Sequence, residues 1–123
     1  MNENCTFPEY FPPCCPDDKA IDANGTVFRI VKAEKMTDDD FLSHHELRIA
    51  VNVEPCIRCG VSVFDSLQGA IHRQKLSPRL GKFIAKGILN PSSGKTSLPK
   101  KESRHMEWWA YSDVKRRTLF ELV

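Results

Sequence analysis

Cys56-Ile57-Arg58-Cys59-Gly60-Val61-Ser62-Val63-Phe64, running into Asp65 and the stretch 66–74, decides the fold. A C-x-x-C-G turn opens it, Val61–Phe64 continues as a strand, and Asp65 is placed to cap a helix over Ser66–Gln74. Leu67, Ala70, Ile71 and Gln74 fall on one side of that helix, so the unit is strand followed by helix. Upstream, Leu47, Ile49, Val51 and Val53 alternate with Arg48, Ala50 and Asn52, the period of a strand with one buried face, which Pro55 ends. Thr37 with Asp38, Asp39 and Asp40 reads as the capped start of a short helix through Phe41–His45. Asn24-Gly25 makes a turn into a strand over Thr26–Ala33, where Val27, Arg29 and Val31 share a face and Arg29 is expected to be exposed. Downstream, 82–89 reads as a strand, 94–103 as a mobile loop, and Arg104–Tyr111 and Thr118–Val123 as two closing strands. The fold class predicted is α+β: a predominantly antiparallel sheet of about five or six strands with two short helices.

Residues 1–25 are predicted to form a Pro-rich, aromatic N-terminal arm, and residues 26–123 a single domain. Pro8, Pro12, Pro13 and Pro16 remove amides and fix the backbone, while Phe7, Tyr10 and Phe11 give the arm something to pack on the domain or on a partner. The chain has 123 residues, enough for one modest core. No run approaches the roughly 20 apolar residues of a membrane span, and the polar N-terminus lacks the pattern of a signal peptide, so a cytoplasmic location and no membrane partner are expected. The five cysteines are then expected to be mostly reduced thiols or metal ligands.

The formal charge of +2 conceals an asymmetry. Residues 1–55 carry 5 Lys and Arg against 11 Asp and Glu, and the rest carry 13 against 5. Arg73, Lys75, Arg79, Lys82, Lys86, Lys95, Lys100, Lys101 and Arg104 face a single acid, Glu102, within one stretch. Such a surface attracts phosphate, although charge runs without interleaved aromatics are commonly only solvated.

Two constellations carry chemistry. A structural zinc ion needs four ligands, and Cys56 with Cys59 offers two; Cys14 or Cys15 and His44 or His45 would complete the set, with Cys5, His72 and His105 as further donors. The bland alternative is a turn with two small thiols. On the late strand, alternation puts His105, Glu107 and Trp109 on one face and Met106 and Trp108 on the other. His105, Trp108 and Trp109 would line a ligand cleft containing a base, a carboxylate and a stacking ring, whereas the plainer reading has the tryptophans filling the core and capping the sheet.

Val27-Phe28-Arg29 on the first strand, Gly60-Val61-Ser62-Val63-Phe64 before a helix, and Glu107 on a late strand resemble, in chain order, the spaced arginine, serine and glutamate of ADP-ribosyltransferase-like domains. That resemblance implies a split antiparallel sheet and NAD as cofactor or substrate. It also implies Arg29 holding the NAD phosphates, Ser62 ordering the nicotinamide side, and Glu107 stabilising an oxocarbenium-like transition state. The chain departs from the family at Val61 and Val63, where small residues flank the serine, and at His105, where an acid or glutamine is usual. The wider pattern of Pro-rich arm, Val-Phe-Arg-Ile-Val, Asp-Phe-Leu-Ser-His and His-x-x-Trp-Trp is similar to small bacterial proteins of unassigned function.

The leading expectation is therefore a small accessory or interaction protein that docks on a partner protein or nucleic acid through the basic surface and the arm. The rivals are an NAD-using enzyme built on Arg29, Ser62 and Glu107, and a small zinc-bearing nucleic-acid binder.

Overall fold

The computed structural model describes residues 6–123. Its seven strands are β1 (Ile21–Asp22), β2 (Gly25–Val31), β3 (Val61–Phe64), β4 (Phe83–Leu89), β5 (Gly94–Thr96), β6 (His105–Ala110) and β7 (Phe120–Leu122). They form one sheet in the order β1-β5-β6-β3-β2-β4-β7, with every neighbouring pair antiparallel. Three α-helices, α1 (His44–Leu47), α2 (Pro55–Arg58) and α3 (Leu67–Leu76), complete an α+β fold. No helix among the described residues is long and apolar enough to cross a membrane.

The strand-to-helix unit is present, but its cap differs from the expectation. Ser66 accepts from Gly69 N at the start of α3, while Asp65 turns to Arg104 in a two-pronged ion pair with a closest approach of 2.6 Å. Ser66 suits the role because its short hydroxyl reaches back to the first-turn amides.

The run Leu47–Val53 is not a strand. Ser43 and Glu46 form a reciprocal capping box that starts α1, which ends at Arg48 in the left-handed region, and Ala50 is left-handed too. The Glu54 carboxylate then accepts from Cys56 N and Ile57 N to start α2 with Pro55 in its first turn. Local capping at both ends thus overrides the period-2 pattern, and no strand among the described residues pairs with the segment to reward extension.

The expected mobile loop over 94–103 instead begins with β5, held between β1 and β6. Gly94 has φ +127° and lies so close to the Trp109 carbonyl that a side chain would collide with it. The close strand pairing is therefore available only to glycine.

The arm is laid on its own domain. Phe7 packs against Phe11 and Tyr111, Tyr10 stacks on His45 at 4.5 Å, and a Cys15–Cys56 disulfide ties the arm to α2. That bond corrects the expectation of reduced thiols. Cys14 and Cys59 are free, the first exposed and the second buried.

One face of the sheet is the core. Val27, Val31, Val61, Val63, Leu89, Met106 and Trp108 meet there under Phe41 and Phe120, whose rings are 4.7 Å apart. Arg116 locks this cover by donating to the Phe41 carbonyl and to both oxygens of Glu46.

Candidate active site

The site lies where the sheet splits. β2 and β3 share a single pair, Phe28 opposite Phe64, and beyond it the strands part. Arg29 fills the opening. Its Nε donates to the Asp40 carbonyl at 2.7 Å and its Nη1 to the Ser62 carbonyl at 2.7 Å, with the guanidinium 6.0 Å from the Phe41 ring centre. The expectation of an exposed Arg29 is corrected: the residue is half-buried and stands in for missing ladder bonds. Burial lowers its pKa to about 10, against the pull of Asp40 and Glu107, so it stays a cation at neutral pH.

β3 and β6 pair in register, with Ser62 opposite Glu107 and Phe64 opposite His105, which places all four on the face away from the core. Ser62 Oγ lies 2.5 Å from His105 Nε2, and Glu107 Oε1 lies 3.5 Å from the same nitrogen. Phe64 meets the imidazole edge-on at 5.4 Å. Gly60 makes room for the carboxylate, since a Cβ there would stand 2.8 Å from Glu107 Oε2. The Glu107 amide donates to Ser97 Oγ at 2.9 Å, holding this point of β6 to the chain beyond β5.

This geometry moves two protons in opposite directions. Burial, reinforced by the charges of Lys100 and Arg73, holds His105 down to about 4, so its ring is neutral at pH 7. Burial also pushes Glu107 up to about 7, against the opposing pull of Lys100 and Arg29. Both stay partly open to solvent, with 22% and 15% of their side-chain surface accessible. A half-protonated carboxyl beside a neutral imidazole is suited to exchanging protons with a ligand near neutrality. The cluster is not a serine-hydrolase relay: Glu107 meets the nitrogen that Ser62 already occupies, rather than fixing the ring from its far side.

Of the three residues picked out separately along the chain, Ser62 and Glu107 meet on one face and His105 joins them, whereas Arg29, on the core side of β2 with Val27 and Val31, touches only the Ser62 backbone carbonyl among them. Trp108 and Trp109 do not line a cleft. Trp108 is fully buried and donates from Nε1 to the Ser93 carbonyl, and Trp109 is buried with Nε1 on the Cys56 carbonyl. Both indoles are consumed by packing and hydrogen bonding, so neither offers a stacking surface.

The basic surface divides. Lys95 pairs with Asp22, Arg104 pairs with Asp65, and Lys86 stands opposite Glu121 on the β4–β7 side. Lys75, Arg79, Lys82 and Lys101 are exposed. Arg73 and Lys100 are the two whose charges act on His105, a convergence that spacing alone does not reveal.

The zinc set does not assemble. Cys56 is bonded to Cys15, and among the described residues no three His, Cys, Asp or Glu side chains are grouped to hold a metal ion. His45 stacks on Tyr10, and Cys5 lies outside the described residues. No family model, curated protein or solved structure matches the chain.

Proposed function

We propose that the protein binds a phosphate-bearing nucleotide over Ser62, His105 and Glu107 and acts on it by acid–base chemistry, with NAD as the first substrate to test. The observation that carries this reading is the meeting of Ser62, His105 and Glu107 across the β3–β6 register, beside the split that Arg29 bridges. Lys100 and Arg73 supply charge for the phosphates, because Arg29 already spends Nε and Nη1 on carbonyls. Arg29 is then a positioning residue. In cleavage of the bond between ribose and nicotinamide, the leaving base takes the electron pair, ionised Glu107 stabilises the cationic sugar, and the incoming oxygen gives its proton to that carboxylate. Calorimetric titration with NAD and an assay for released nicotinamide test the proposal. Wild-type protein should bind and turn over NAD, Glu107→Gln should bind without turnover, and Lys100→Gln should bind more weakly. Wild-type protein that takes up no NAD at millimolar concentration would sink it.

A second reading, a small accessory protein docking on a partner, is favoured by one observation. Leu47, Ile49, Val51, Val53 and Ile57 are all exposed, at 38 to 72% of their surface. The arm serves this reading as part of the wall beside that run rather than as a free ligand, because it is bonded to α2.

A further inference from the structure

We infer that the segment from Leu47 to Ile57 is a docking groove for a partner peptide carrying an apolar side chain next to a carboxylate. The inference rests on the docking reading above and adds the chemistry of the partner. Scattered surface aliphatics need no explanation, but five within eleven residues, none turned into the core, form a concentration that folded proteins ordinarily cover.

The groove has a shape and a charge. A cavity of about 200 Å³ is walled by Tyr10 and Pro12 of the arm, Val51, Val53, His45 and Arg58. That volume falls below the roughly 300–1,000 Å³ of small-molecule sites and suits one or two side chains of a peptide. The acids of the segment are already committed. Both oxygens of Glu54 cap α2, and Glu46 is paired with Arg116 at 2.6 Å while also accepting from Ser43 N. The cations have no acid partner among the described residues. Arg58 uses Nε to hold the Ile49 carbonyl at 2.8 Å, and neither Arg58 nor Arg48 enters an ion pair among the described residues. An apolar floor edged by uncompensated arginine selects a carboxylate-bearing partner by charge complementarity. The Cys15–Cys56 bond and the Tyr10–His45 stack hold the arm's wall in place before any partner arrives.

Selection of a random 12-residue peptide library against the disulfide-intact protein tests this. The expected outcome is enrichment of peptides pairing Leu, Ile or Phe with Asp or Glu. When resynthesised, they should bind at least about tenfold more weakly to Val51→Asp and to Arg58→Glu, with unchanged affinity for Ile88→Asp, an exposed site on β4. Circular dichroism confirms that each variant is folded, and Val51→Ser replaces Val51→Asp if it is not. Enriched peptides that are basic or purely apolar, yet still lost on Val51→Asp, overturn the proposed chemistry and keep the docking reading. Failure to enrich any peptide, or binding insensitive to all these substitutions, overturns both. Concentration-dependent dimerisation abolished by Val51→Asp would overturn the peptide partner as well, assigning the groove to a second copy of the chain.

Discussion

β3 and β6 present two faces built on the same backbone hydrogen bonds. On one, Val61 opposes Trp108 and Val63 opposes Met106, all of them buried; on the other, one residue along each strand, Ser62 opposes Glu107 and Phe64 opposes His105. The apolar face stabilises by excluding water, and its tolerance is set by volume. The polar face holds a neutral imidazole beside a carboxyl that is half ionised near neutrality, and its behaviour is set by pH. A register shift of one residue would exchange the two faces, so the core packing that fixes register also fixes the site.

Four experiments break or sharpen that contrast, in falling order of effect. Trp108→Ala removes the largest core side chain and should cost about 3–5 kcal/mol, at any pH where the protein folds, by chemical denaturation. Arg29→Met should cost about 2–3 kcal/mol by stripping the Asp40 and Ser62 carbonyls of their donor; a loss below half a kcal/mol would deny Arg29 its role at the split.

Glu107→Gln should instead stabilise, and only at higher pH. The folded protein keeps the Glu107 proton up to about 7, while the unfolded chain releases it near 4.5, so wild-type stability falls as pH rises between those values. Glutamine never ionises, and the variant's advantage of about 1–3 kcal/mol should be absent below pH 4.5 and complete above 7. An advantage that does not change with pH would mean that the carboxyl is not held protonated. The smallest effect is expected from Lys100→Gln, which removes a like charge from His105 and an opposite charge from Glu107. Both pKa values should move upward in an NMR titration, and opposite movements would place Lys100 elsewhere.

How much of this was legible depended on whether a segment carried its own signal. β2, β3, β4, β6 and β7 did, through β-branched and aromatic residues, and the α+β class followed from them. β1 and β5 did not: they are two and three residues long and exist because β6 offers an edge that Gly94 lets the chain approach. Leu47–Val53 had the alternation of a strand and no partner, and the caps at Ser43 and Glu54 took the chain into short helices. At the site, alternation alone put His105 and Glu107 on one face. That Ser62 lies across from Glu107 is a matter of strand order and register, which one strand's sequence does not encode. The Cys15–Cys56 bond was hidden for a similar reason, since it joins segments 41 residues apart.

The split between β2 and β3 also has a mechanical meaning. With one backbone pair and one arginine across it, the sheet is two rafts, β1-β5-β6-β3 and β2-β4-β7, joined by a narrow seam. In backbone bonding, a load across the strands would meet one pair at that seam against the seven-pair ladder between β2 and β4, which leaves side-chain packing and Arg29 to hold the rafts together.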